Sequence, residues 1–158
     1  MKELIEYRKQ LINRLVSATK EFRDACLAVK DPHAPLDKGG WNVHKIAAHT
    51  RDVNDLVYGL RAKRTVQEDN PEFQNFDGDA YMDEHYDADM PLIEMLDEFV
   101  ENVEKLYEFL SPLPAEAWSR ESRHLTFGAG FTLQTWIERN LAHIEEHLES
   151  VKKGKDSM

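Results

Sequence analysis

His143 and His147 stand four residues apart in the stretch Thr132–Val151, TLQTWIERNLAHIEEHLESV. On a helix that spacing puts both imidazoles on one side, with Cβ atoms about 6 Å apart. Two imidazoles so placed can converge on one metal ion through bonds of about 2.1 Å. Alone, the HxxxH spacing is a weak signal, and the competing reading is a pair of solvated side chains on a helix flank. The spelling HIEEH also matches the inverted zincin pattern HxxEH. That class takes a further ligand from far downstream, and only eleven residues follow His147, so a metalloprotease is not expected.

A third ligand has to come from elsewhere in the chain. His49 lies among Ile46, Val53, Leu56, Val57 and Leu60 on one apolar helical stripe. An imidazole buried there must have both ring nitrogens satisfied. A core histidine bonded to a neighbour would meet that need, and so would a metal ion shared with His143 and His147. Three neutral imidazoles leave a coordination position open, the pattern of catalytic rather than closed structural sites. Nitrogen donors favour zinc, nickel or another late divalent ion over magnesium or calcium. Asp52, one turn beyond His49, is the candidate for a supporting carboxylate. His33, His44, His85 and His124 read as surface or loop side chains.

These residues need helices to position them. The first is expected over residues 2–30, with Leu4, Leu11, Leu15, Phe22, Cys26 and Val29 on one stripe. It stops before Asp31-Pro32, because the residue preceding a proline is pushed out of the helical region. The breaker-rich loop DPHAPLDKGG follows, and a second helix runs from Trp41 to about Arg64. Residues 65–89 are acidic and irregular, with a short helix around Asp79–Tyr86. Their length fits a crossover that covers one end of the fold. FDGDAYMDEHYD places its glycine wrongly for an EF-hand loop, so no calcium site is expected there.

A third helix spans about Met90 to Leu110, with Pro91 in its first turn. The turn PAEAW and the loop HLTFGAGF come next. The last helix begins at Thr132 as N-cap and ends near Lys152–Gly154, with Leu133, Trp136, Ile137, Asn140, Ile144, Leu148 and Val151 on its apolar face. No strand-like alternation and no repeat is found. Four long helices predict an all-α four-helix bundle, residues 1–158 forming one domain.

Composition narrows the partners. A net charge of −10 over 158 residues, without a basic cluster, argues against nucleic acid. Cys26, the single cysteine, falls on an apolar stripe and reads as a buried core residue in a reducing compartment. No apolar run is long enough to span a membrane, and MKELIEYRK does not resemble a signal peptide. A cytoplasmic location is expected.

The segments GGWNVHKIAAH, NFDGDAY and PLPAEAW, together with the spacing His143-x-x-x-His147, resemble the DinB-like (DinB/YfiT) four-helix-bundle metalloproteins across nearly the whole chain. That family is related to thiol-dependent transferases and mycothiol-dependent maleylpyruvate isomerases. The resemblance implies an up-up-down-down bundle, a divalent metal on His49, His143 and His147, and a homodimer. It also implies metal-dependent thiol transfer or hydrolysis on a small molecule, with a low-molecular-weight thiol as a further cofactor. Leu148, Glu149 and Ser150 depart from the Gly and Gln found in many members after the second metal histidine, and Met82 stands where an Asn is common. A non-catalytic metal-binding scaffold or stress sensor is the alternative.

Overall fold

An uninterrupted run without glycine or proline makes α1 (Lys2–Leu27), which buries Leu11, Ile12, Leu15, Ala18, Phe22 and Cys26 along one stripe. The computed structural model describes residues 1–36 and 40–157, with side chains through Gly154. Asp37, Lys38 and Gly39 of the expected loop 31–40, including the first glycine of GGWNVHKIAAH, lie outside the described residues. Leu4, placed on the stripe from sequence, is exposed.

The second bundle helix is built in three parts. α2 (Val43–Val53) starts at Asn42, whose side chain accepts a 2.8 Å hydrogen bond from the Lys45 backbone N–H. A π turn over Asn54–Tyr58 follows, and α3 (Gly59–Gln67) continues the rod. In the π turn the Gly59 N–H donates to the Asn54 carbonyl, five residues back. The extra residue displaces the inward stripe by one position. Leu56 and Leu60, expected to face inward, are therefore 39% and 44% exposed, while Val57, Arg61, Ala62 and Thr65 are buried.

The crossover contains β1 (Glu72–Phe73) and α4 (Gly78–His85), the latter capped by the Asp77 side chain accepting from Ala80 N–H at 3.0 Å. α5 (Leu92–Leu110) and α6 (Ala115–Trp118) follow close to their expected places, with Pro91 as the N-cap of α5 rather than in its first turn. A hairpin of β2 (Glu121–His124) and β3 (Gly128–Thr132) leads into α7 (Leu133–Ser157). The hairpin corrects the expectation that residues 121–131 hold no strand. β2 pairs antiparallel with β3 and parallel with β1. Its inward residues are Ser122 and His124, so the burial alternates without any hydrophobic alternation to betray it. Gly128 and Gly130, at φ +91° and +89°, turn the chain where a side chain would be strained.

α7 is capped as expected, Thr132 Oγ1 accepting from Thr135 N–H at 3.2 Å. It does not stop at Lys152–Gly154. Gly154 lies against Leu36, where a Cβ would collide, and the helix continues to Ser157.

α1 packs between α5 and α7, and the α2–α3 rod packs against the same two helices from the other side. Phe22 meets Phe99 edge to face at 5.8 Å in the middle of this four-helix bundle. Burying each such side chain contributes about 1.5–3 kcal/mol, so the core rather than the small sheet holds the fold. Among the described residues, no helix is long and apolar enough to cross a membrane.

Candidate metal centre

His49 on α2 and His143 and His147 on α7, the three histidines singled out from sequence, meet across the bundle interior, each half-buried. His143 Nε2 lies 3.2 Å from His49 Nε2 and 3.1 Å from His147 Nε2. A ring nitrogen of a neutral imidazole either donates one proton or offers one in-plane lone pair. As a donor His143 Nε2 serves only one neighbour, and as an acceptor it would have to split its single in-plane lone pair between two N–H groups. A cation at the centre would receive all three lone pairs. Tetrahedral ligands at about 2.1 Å from an ion stand about 3.4 Å apart, close to the separations present.

Burial keeps these rings neutral. It pulls the His143 pKa down to about 3, with the neighbouring His147 and His49 adding to the effect. His147 is lowered to about 4, by burial first and His49 second. His49 is also lowered by burial, against the opposing pull of Asp52, Asp79 and Glu146. Neutral imidazole is the ligating form. Asp52 itself binds Arg51 Nε at 3.0 Å, so it acts on His49 through its field.

The surrounding elements hold the rings in place. Trp41 packs edge-on against His49 with centroids 5.2 Å apart. Asn140, three residues before His143, donates to Asn54 Oδ1 in the π turn at 2.9 Å. Asn54 donates in turn to Asp55 Oδ1 at 3.0 Å, and Asn102 on α5 donates to Asp55 Oδ2 at 2.9 Å. This polar strut ties α7, the π turn and α5 in one rotational setting.

His44 is not the surface residue expected from its position opposite His49. It is buried, with Nδ1 2.6 Å from the Tyr86 hydroxyl and Nε2 2.7 Å from the Met90 carbonyl. Both partners belong to the end of the crossover, which folds over the first turns of α2. His33 is exposed and stacks on His44, and His85 is exposed against Tyr81.

His124, read as a loop residue, is buried in β2, where its Nδ1 accepts from the N–H groups of Thr126 and Phe127 at 3.1 and 3.2 Å. It lines a cavity of about 330 Å³ that opens beside His49 and His143. Tyr58, Arg61, Trp136 and Arg139 share that lining. None of these was visible as functional from sequence. Arg61 and Tyr58 sit beyond or within the π turn, which no periodicity announces, and Trp136 read as core. Cys26 is buried and its thiol is pushed well up by desolvation, which leaves it no nucleophilic role.

A family profile described as the DinB superfamily matches residues 25–151. Among solved structures, the chain is similar to YfiT from Bacillus subtilis, described as a probable metal-dependent hydrolase with an unusual four-helix bundle topology. The two superpose with a TM-score of 0.87 at 20% identity, over 97% of this chain and 88% of that one. No curated protein matches the chain.

Proposed function

The chain belongs to the DinB superfamily, and on that premise we propose that it is a metal-dependent hydrolase or thiol S-transferase acting on a small molecule. His49, His143 and His147 would hold one divalent ion, zinc or nickel. The observation that carries this reading is the convergence of three neutral Nε2 atoms at 3.1 and 3.2 Å, a spacing that suits one shared ion better than a single lone pair split between two donors. When bound, such an ion supplies Lewis acidity and makes a nucleophile of water or a low-molecular-weight thiol near neutral pH.

The chain's own residues supply the rest. The cavity beside His49 and His143 gives a small substrate room to reach the ion, and Tyr58, Phe76 and Trp136 give it an aromatic wall. The Asn140–Asn54–Asp55 strut holds α7 so that both of its histidines stay aimed at His49. No carboxylate hydrogen-bonds the three rings among the described residues, so proton transfer falls to the nucleophile itself or to solvent.

The test is metal content by plasma mass spectrometry on protein purified without chelator, beside His49→Ala and His147→Ala. About one late divalent ion per chain, lost in both variants, is expected. Assays of ester hydrolysis and of thiol conjugation, with His143→Ala as control, then separate the two chemistries. Metal bound without either activity would leave a non-catalytic scaffold or sensor. No metal after reconstitution with zinc or nickel would overturn the site.

A further inference from the structure

The cavity next to the three histidines carries positive charge that the chain does not balance. Arg61 is only 9% exposed, yet its guanidinium has one hydrogen bond, from Nη2 to the Gln74 carbonyl at 2.9 Å. It is otherwise laid over the rings of Trp136 and Phe73, at 4.8 and 5.8 Å from their centroids. Arg139 lies over Phe131 at 5.1 Å. Among the described residues neither guanidinium has a carboxylate within 4.0 Å. In a chain with 30 acidic and 20 basic residues this is a local reversal of sign. Buried charges are normally paired, and Arg61, buried at the cavity wall without a carboxylate, is short of an anion.

The rest of the lining agrees. His124 is kept neutral by burial and by the positive fields of Arg61 and Arg139. Because its Nδ1 accepts two backbone N–H groups, its proton rides on Nε2, making it a further donor. Phe76, Phe127, Tyr58 and Trp136 supply flat apolar surface around these donors. Guanidinium groups are suited to the planar, two-oxygen geometry of an oxyanion.

We propose that Arg61 and Arg139 form an oxyanion subsite beside the three histidines, so that the substrate is a small organic anion, with a carboxylate or phosphate joined to a flat apolar body. The inference rests on reading this cavity as the substrate site of the proposed enzyme. The anion is held by the arginines and the apolar body lies along the aromatic wall, which leaves the opposite end of the molecule toward His49 and His143.

The experiment uses benzoate and phenyl phosphate as probes and benzamide as the neutral isostere. Binding is followed by calorimetry and ligand-observed NMR on metal-loaded protein and on protein stripped with chelator. Stripping removes any direct hold of a metal on the anion. At least one anionic probe is expected to bind both forms about tenfold or more tightly than benzamide, and whichever binds better identifies the headgroup. Arg139→Glu, at an exposed position, is expected to weaken that probe about tenfold or more at unchanged metal content and thermal midpoint. Arg61→Gln is expected to do the same wherever its thermal midpoint shows it folded. Equal affinity for benzamide and both anions, or full binding of the anion by Arg139→Glu, would overturn the subsite. Anion binding without hydrolysis or thiol transfer would remove the proposed activity and leave the subsite standing.

Discussion

Gly78 packs directly against the imidazole of His49: a Cβ at Gly78 would lie 3.2 Å from His49 Cε1 and 3.5 Å from its Nδ1. The first residue of α4 thus forms one wall of the candidate metal centre, and the crossover is part of the site rather than a connection between helices. Gly78→Ala would press the ring by a few tenths of an ångström without disturbing the backbone. Metal affinity is expected to fall about tenfold, as for changes to groups supporting a ligand, with helix content unchanged. Competition against a chromogenic chelator measures it, and an unaltered affinity would show that His49 has slack.

Gly59 carries the π turn. A Cβ there would sit 2.5 Å from the Asn54 carbonyl oxygen, the acceptor of the π hydrogen bond. Alanine in a helix interior ordinarily gains about 0.5–1 kcal/mol over glycine. Here the sign reverses, and Gly59→Ala should cost about 1–3 kcal/mol as an overpacked site does. Urea unfolding decides it, since a stabilised variant would mean that the turn relaxes freely to α-helix.

His44→Ala leaves the Tyr86 hydroxyl and the Met90 carbonyl without their partner. A loss of about 2–4 kcal/mol is expected from the unmet hydrogen bonds together with the vacated ring volume. Metal stoichiometry should stay at the wild-type value, which distinguishes this histidine from His49. His33→Ala, at an exposed position, should change stability by less than about 0.5 kcal/mol.

The Asp55 carboxyl is held above its ordinary pKa by burial first and by Glu98, against the lowering influence of Asn54, Asn102 and Arg51. The folded state therefore binds the Asp55 proton more tightly than the unfolded chain does. Between the unfolded pKa and the raised folded one, stability from this group is lost as pH rises. In Asp55→Asn that loss is absent, while any cost from rearranged hydrogen bonds does not vary with pH. The difference in thermal midpoint, variant minus wild type, should accordingly become more positive from strongly acidic pH towards neutrality. A difference that stays flat would place the Asp55 pKa at its solution value.

The three converging histidines were legible because each obeys helical periodicity: His143 and His147 by their own spacing, His49 by its place on the stripe of α2. Asn140 was found on the apolar face for the same reason, although only the fold reveals its partner Asn54. Periodicity failed beyond Val53, where the π turn rotates the rest of the rod: Leu56 and Leu60 turn outward, Val57 stays buried as expected, and Arg61 joins it. It also failed wherever a distant segment does the covering. His44 looks like a surface residue until Tyr86 and Met90, more than 40 positions later, close over it. β2 hides its pattern because the inward residues are serine and histidine.

The contact between His49 and His143 joins positions 94 residues apart. An ion shared between them would act on the unfolded chain as a removable cross-link around most of the bundle. By loop-closure entropy a permanent link of that span is worth about 4–5 kcal/mol. His143 and His147 stay near one another in any fragment of α7 that is helical, whereas His49 arrives only when the whole bundle has closed. Affinity for the ion would thus report global closure of the bundle, and a partly opened chain would keep a two-imidazole grip that is weaker than that of the native state.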